Sequence, residues 1–283
     1  MLRGKDTPAR EVRALREEGH VPRKSLGQNF LVDPNLLRKI ADAAELSPAD
    51  RVVEIGSGPG TLTELLADRA LVVYSSEIDR GLLERQRERL RGRENVIFAP
   101  GDFLEFDLAG AAAGGKMVVV GNIPYRATAR ILERLMVHSS CIRRAVLCVQ
   151  KEVAERIAAP PGSRSFGRIS LLVRYRARVD LLFRVGPSAF RPRPRVESAV
   201  IALRFHDPLP VRAANEKALF DLARALFGGR RKMIRSGLRN YRPLSPEALR
   251  RVEEIARVDL RARPEDLDVE AWCRLSDAVE ATG

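Results

Sequence analysis

The chain has 283 residues, with 50 Lys and Arg against 37 Asp and Glu, a net charge of +13. That length predicts one large domain plus a small one, and the arginine-rich excess predicts an acidic polymer or surface as partner. Three cysteines without a C-x-x-C pair, three scattered histidines and no long apolar run argue against a disulfide scaffold, a zinc site and a membrane span.

A soluble cytoplasmic protein without metal is expected. Residues 1–24 mix Arg, Lys and Glu with almost no periodic apolar face and read as a mobile basic arm, with a partly helical arm as the alternative. Two readings stand for it, a solvated arm and an RNA-contacting one. The stretch 25–31 reads SLGQNFL, and Asp33-Pro34 then gives an N-cap with proline at the first helical position. Leu36, Leu37, Ile40, Ala41 and Ala44 form the buried stripe of that helix. The apolar run 52–55 has the character of a buried parallel strand. It leads into Gly56, Gly58 and Gly60, after which Leu62, Leu65 and Leu66 recur at helical spacing. The reading is strand, tight glycine turn, helix, with glycines letting backbone approach a ligand closely.

A dinucleotide fingerprint would read G-x-G-x-x-G and present a helix N-terminus to a pyrophosphate. Here the pattern is E-x-G-x-G-x-G, and an acid at Glu54 suits a ligand with a cationic end. It resembles the S-adenosylmethionine motif of class I methyltransferases. Glu77 ends the next apolar run, 71–74, where its carboxylate can accept from ribose hydroxyls. Asp79 caps a charged helix to about Arg91. A third strand at 96–98 ends in Gly101-Asp102-Phe103, which places Asp102 on the same rim, able to accept from an adenine amino group.

An Ala/Gly loop (109–115) precedes a fourth strand, 117–120, ending in Gly121-Asn122-Ile123-Pro124-Tyr125. The exocyclic amine of a nucleobase is a poor nucleophile, because its lone pair is delocalised into the ring. Two acceptors, the Asn122 side-chain oxygen and the Pro124 carbonyl, can hold its two hydrogens. They favour a tetrahedral nitrogen with its lone pair aimed at a methyl donor. Tyr125 can stack on the base once it leaves its helix.

The chain resembles the KsgA-type small-subunit ribosomal RNA adenine dimethyltransferases over roughly residues 22–280. The motifs are GQNFL (27–31), EIGSGPGTLT (54–63), EID (77–79), GDF (101–103) and NIPY (122–125). They continue with QKEVAERI (150–157), PGSRSFGRIS (161–170) and FRPRPRVESAV (190–200). The resemblance implies a Rossmann-like α/β domain whose S-adenosylmethionine site is lined by Asn29, Leu31, Gly56, Glu77, Asp102 and Asn122. Gln28, Gly58, Ile78 and Phe103, in the same motifs, are assigned to it as well. It also implies that Phe190 faces Tyr125 across a flipped adenine, making Asn122, Pro124, Tyr125 and Phe190 the catalytic set. Two departures stand out: Ser57 where the family commonly has proline, and Arg126 where an amide or aromatic residue is usual.

The stretch 142–150 reads as a strand and 151–158 as a helix. The stretches 179–185 and 196–205 read as a late antiparallel pair at the sheet edge. Residues 206–210 form a proline-rich linker, and from about Ala213 the pattern is wholly helical, about four helices. The expected organisation is therefore a basic arm (1–24), a methyltransferase domain (25–208) and a helical RNA-binding domain (209–283). Arg230, Arg231, Lys232, Arg235 and Arg239 form a basic cluster in the last, with 231, 235 and 239 on one helix face, suited to phosphate contact. The implied activity is transfer of methyl groups to N6 of two adjacent adenines in 16S rRNA within a partly assembled 30S subunit, by a monomer. The alternatives are the erythromycin-resistance type of large-subunit enzyme and a non-catalytic RNA-binding factor on the same fold.

Overall fold

The computed structural model describes residues 8–17, 22–23, 26–229 and 232–282. Helix α1 (Pro8–Glu17) comes first, then β1 (Phe30–Leu31) and α2 (Pro34–Ala43). The Asp33 carboxylate caps α2 by accepting from the Asn35 and Leu36 amides, as the sequence predicts. Strand and helix then alternate: β2 (Arg51–Ile55), α3 (Thr61–Ala67), β3 (Val72–Glu77), α4 (Arg80–Arg89), β4 (Val96–Pro100), α5 (Leu108–Ala112) and β5 (Met117–Asn122). Next come α6 (Thr128–Val137), β6 (Ile142–Gln150), α7 (Lys151–Ala158), α8 (Arg168–Arg176), β7 (Ala177–Val185), β8 (Phe190–Arg191) and β9 (Ser198–Phe205). The chain closes with α9 (Glu216–Phe227), α10 (Ile234–Tyr241), α11 (Pro246–Ala256) and α12 (Val269–Thr282). Among the described residues no helix is long and apolar enough to cross a membrane.

Seven strands form one sheet in the order β4-β3-β2-β5-β6-β9-β7. The pairs β2–β3, β2–β5, β3–β4 and β5–β6 are parallel, and β9 runs antiparallel to β6. Val52, Val53, Val118, Val119, Val120 and Val146 are wholly buried, which is why these strands read as unbroken apolar runs. The strand order reverses at β2, so the loops after β2 and β5 diverge and leave a crevice at their C-terminal ends. A separate two-stranded ladder, β1–β8, pairs Phe30 with Arg191 and Leu31 with Phe190. It ties the GQNFL segment to the FRPRPR segment, 159 residues further along the chain.

The described part of the N-terminal arm is not a mobile tail. Helix α1 buries Val12 and Leu15 in a cluster with Phe30, Val32 and Leu82. Glu11 pairs with Arg89 at 2.8 Å, and the same guanidinium pairs with Glu64 at 2.8 Å. Two apolar residues three apart are too narrow a stripe to stand out in a charged sequence, yet they suffice to dock ten residues.

The chain divides into two compact units, Met1–Ala154 with Val179–Phe205, and Glu155–Arg178 with His206–Gly283. The single boundary expected near residue 208 is thus joined by two more crossings. The reason lies in one buried cluster that holds Phe166, Leu171 and Tyr175 together with Leu219, Leu226, Trp272 and Leu275. Tyr175 also donates its hydroxyl to Glu216 at 2.9 Å, and its oxygen accepts the Ala213 amide. Trp272 stacks on Phe227 at 5.4 Å between centroids and donates its indole N–H to the Pro264 carbonyl.

Candidate active site

The crevice is a cleft of about 280 Å³ built from the loops after β2, β3, β4 and β5 and the segment before β1. Gln28, Asn29, Gly56, Glu77, Ile78, Asp102 and Phe103 line it. Asn122, Pro124 and Tyr125 line it as well, so ten of the residues singled out by sequence meet in one place. Three others do not. Leu31 is buried in the core, Gly58 is spent on the loop itself, and Phe190 has no exposed surface.

The glycine loop follows from backbone conformation. Gly56 and Gly58 have φ of +63° and +56°, a region that side chains with a Cβ avoid. A Cβ on Gly58 would also lie 3.0 Å from the Phe30 ring. The Gly58 amide donates to Glu77 Oε2 at 2.9 Å, and the Asp79 amide donates to Glu77 Oε1 at 2.9 Å. Each carboxylate oxygen therefore keeps lone-pair capacity for a ligand hydroxyl. Burial, the largest influence, pushes the Glu77 carboxyl above its ordinary value, and the amide hydrogen bonds oppose the rise.

The acid of the E-x-G-x-G-x-G pattern behaves otherwise. Glu54 is fully buried, does not line the cleft, and accepts the Thr63 hydroxyl at 2.5 Å. Burial pushes its pKa up to about 8, so at neutral pH it is mostly the neutral acid. It ties β2 to α3 and does not attract a cationic ligand, which corrects the sequence-based argument. Sequence reasoning also passed over Gln86. Its side chain, wholly buried, donates to the Gly58 carbonyl at 2.7 Å and to the Ser57 hydroxyl at 2.8 Å, while accepting from Ser75 at 2.6 Å. The departure at Ser57 is thereby explained: its hydroxyl joins this network and stiffens the turn without a proline. The available signal was one uncharged polar residue in the charged run RQRER.

The Asn122 side-chain amide donates to the Asn29 carbonyl at 2.7 Å. A carbonyl can bond only the NH₂ end, so the assignment of nitrogen and oxygen is fixed and Oδ1 remains an acceptor. The Pro124 carbonyl is already engaged by the Ala127 amide at 2.9 Å and the Thr128 hydroxyl at 3.3 Å. The Ile123 carbonyl accepts from no donor among the described residues. Of the two carbonyls, Ile123 is the freer second acceptor. Tyr125 hydrogen-bonds Ser198 at 2.8 Å, which orients its ring, and burial raises the phenol pKa.

Phe190 needs a correction. Its cross-strand partner is Leu31, and both side chains sit in the core cluster with Leu37, Val120 and Val185. A ring with no exposed surface cannot stack on a base in this conformation, which leaves Tyr125 as the aromatic residue of the expected catalytic set that lines the cleft. In the second unit, Arg230 and Arg231 lie outside the described residues. Lys232 precedes α10, Arg239 is exposed on it, and Arg235 has a buried Nε with no partner among the described residues.

Part of the lining fits an adenosine-type donor: acceptors at Glu77 and Asp102 for hydroxyl and amino groups, and Ile78, an exposed isoleucine, as an apolar platform. Glu77→Ala is expected to weaken S-adenosylmethionine binding by roughly 1.5–3 kcal/mol, the size of a hydrogen bond to a charged group. Glu77→Gln, which keeps one acceptor, should lose less. Calorimetry on folded variants checks this, and wild-type affinity in Glu77→Ala would remove Glu77 from the site.

The family described as "Ribosomal RNA adenine dimethylase" matches residues 19–280. The chain is 40% identical to "Ribosomal RNA small subunit methyltransferase A" of Moorella thermoacetica, over 97% of this chain and 98% of the relative. It is 39% identical to the protein of the same name from Pseudomonas fluorescens, over 92% and 94%. Among solved structures, a dimethyladenosine transferase from Plasmodium falciparum superposes with a TM-score of 0.72 at 25% identity, covering 87% of this chain and 95% of that one. The 23S rRNA methyltransferase ErmE superposes with a TM-score of 0.69 at 28% identity, covering 89% and 99%.

Proposed function

The chain belongs to the ribosomal RNA adenine dimethylase family, and on that premise we propose that it methylates N6 of two adjacent adenines in 16S rRNA. Its substrate is the rRNA within a partly assembled 30S subunit, on which it acts as a monomer. Bound S-adenosylmethionine supplies an electrophilic methyl group. The observation that carries the reading is the Asn122 amide, whose NH₂ is held by the Asn29 carbonyl so that its oxygen is kept as an acceptor.

Asn122 Oδ1 takes one hydrogen of the target amine and the Ile123 carbonyl takes the other. Held this way, the nitrogen is drawn towards a tetrahedral geometry and its lone pair is freed from the ring. Tyr125, braced by Ser198, stacks on the extruded base. No strong base is required, because the nitrogen becomes acidic once alkylated and sheds its proton to water. Lys232 and Arg239, exposed in the second unit, add phosphate contacts that anchor the RNA without reading its sequence.

Mass mapping of methyladenosines in rRNA from cells with and without the protein tests this. Loss of dimethyladenosine from 16S rRNA alone is expected. Loss from 23S rRNA would favour the erythromycin-resistance type of activity, and unchanged rRNA would overturn the reading.

A further inference from the structure

Two guanidinium groups on the cleft wall are unaccounted for by the chemistry described above. Arg126 and Arg130 both line the cleft and both are exposed. Neither makes an ion pair, hydrogen bond or ring contact among the described residues. Other arginines of this unit do have acids beside them: Arg143 pairs with Asp50 at 2.8 Å, Arg93 with Asp68 at 2.6 Å and Arg204 with Glu45 at 2.6 Å. Two cations left unpaired beside a site for a polyanion are therefore conspicuous.

Their placement narrows the ligand. Arg126 directly follows Tyr125, and Arg130 lies one helical turn further on, so the i,i+4 spacing puts them on one side. The turn carrying Arg126 leads into α6, which has no side-chain cap at its N-terminus. The positive end of that helix adds to the same field. A single small carboxylate needs one fork, whereas two forks in a row beside the base-stacking tyrosine suit consecutive phosphates of a strand. With Phe190 buried, Tyr125 is the one ring of the expected sandwich left at the cleft, and holding the strand's backbone would supply the missing constraint.

We propose that Arg126 and Arg130 clamp the sugar–phosphate backbone of the substrate strand beside the target adenine, setting where the base enters the cleft. The proposal rests on the methyltransferase reading given above. They are positioning residues: they touch the strand and act on the reacting nitrogen only through it. Arg126, the departure after the NIPY motif, then has a use specific to this chain.

The test is a salt titration of binding to unmethylated 16S rRNA for wild type, Arg126→Ala, Arg130→Ala and the double variant. Arg91→Ala, an exposed arginine after α4 and away from the cleft, is the control for loss of one charge. Each cleft substitution should lower the log–log salt slope by about 0.7–0.9, the value for one phosphate contact, and Arg91→Ala should not. The double variant should lose roughly tenfold in single-turnover methylation at subsaturating RNA, with S-adenosylmethionine affinity unchanged. Lysine at both positions should restore the slope but not the full rate, since it lacks the planar fork. An unchanged slope, or a fall in donor affinity with the slope intact, would overturn the clamp. If the wild-type enzyme transferred no methyl to 16S rRNA, the functional reading would fail while the slope comparison still judged the clamp.

Discussion

Asn122→Ala is expected to slow single-turnover methyl transfer by about 10²–10³-fold at saturating donor and RNA, the usual cost of removing one preorganised polar contact to a transition state. The side chain does two things here. Its oxygen is kept as an acceptor for the target amine, and its NH₂ holds the Asn29 carbonyl at 2.7 Å. Alanine removes both, so donor affinity should fall modestly as the segment before β1 loosens. RNA affinity should barely move, because phosphate contacts made elsewhere dominate it. Asn122→Asp separates the two roles: it keeps an acceptor but cannot donate to Asn29 at neutral pH, so its donor affinity should fall at least as far as that of the alanine variant. A wild-type rate in Asn122→Ala would refute the amine-acceptor mechanism and require that other groups hold the target amine.

The second large effect concerns stability. Glu54 has a folded-state pKa of about 8 against an ordinary value of 4.5, because burial disfavours its charged form. Between those two pH values the folded protein holds a proton that the unfolded chain has lost. Stability should therefore fall as pH rises through this window and level off above it, by an amount on the order of 5 kcal/mol from this group. Glu77, also raised by burial, works in the same direction. Glu54→Gln retains an acceptor for the Thr63 hydroxyl and carries no charge to bury. Urea denaturation at a series of pH values should show most of the slope gone in this variant and higher stability than wild type near pH 8. A wild-type slope in Glu54→Gln would mean that Glu54 titrates normally.

Much of this architecture could be read in one dimension. Strands β2, β3, β4, β5 and β6 all lie where the sequence has short apolar runs, and the most buried of them, β2, β5 and β6, are covered on both faces. Alternating glycines mark a turn that needs positive φ, found at Gly56, Gly58 and Gly60. Ligands gather at the C-terminal ends of such strands, which places Glu77, Asp102 and Asn122 on one rim from sequence, and all three line the cleft. The helices beyond residue 213 were equally plain, because their 3.6-residue periodicity is local.

What the sequence by itself determined is therefore the parallel strands and their order, the glycine turn, the C-terminal helices, the chemical class of the site and most of the residues around it. Helix α5 lies where an Ala/Gly loop is expected, and α6 and α8 are not read from sequence. Tertiary structure decided which way particular side chains turn. Glu54 points into the core and Glu77 into the cleft, although both acids belong to motifs read as parts of the donor site. Phe190 is drawn into the core by its pairing opposite Leu31, a partner 159 residues away. Residues 155–178 join the C-terminal helices because Phe166, Leu171 and Tyr175 complete a core with Trp272. Helix α1 docks through two side chains whose acceptor surface is formed by Leu82 and Phe30. Periodicity and turn chemistry act over a few residues and are written locally. Burial depends on which distant surfaces meet, and no stretch of chain carries that information alone.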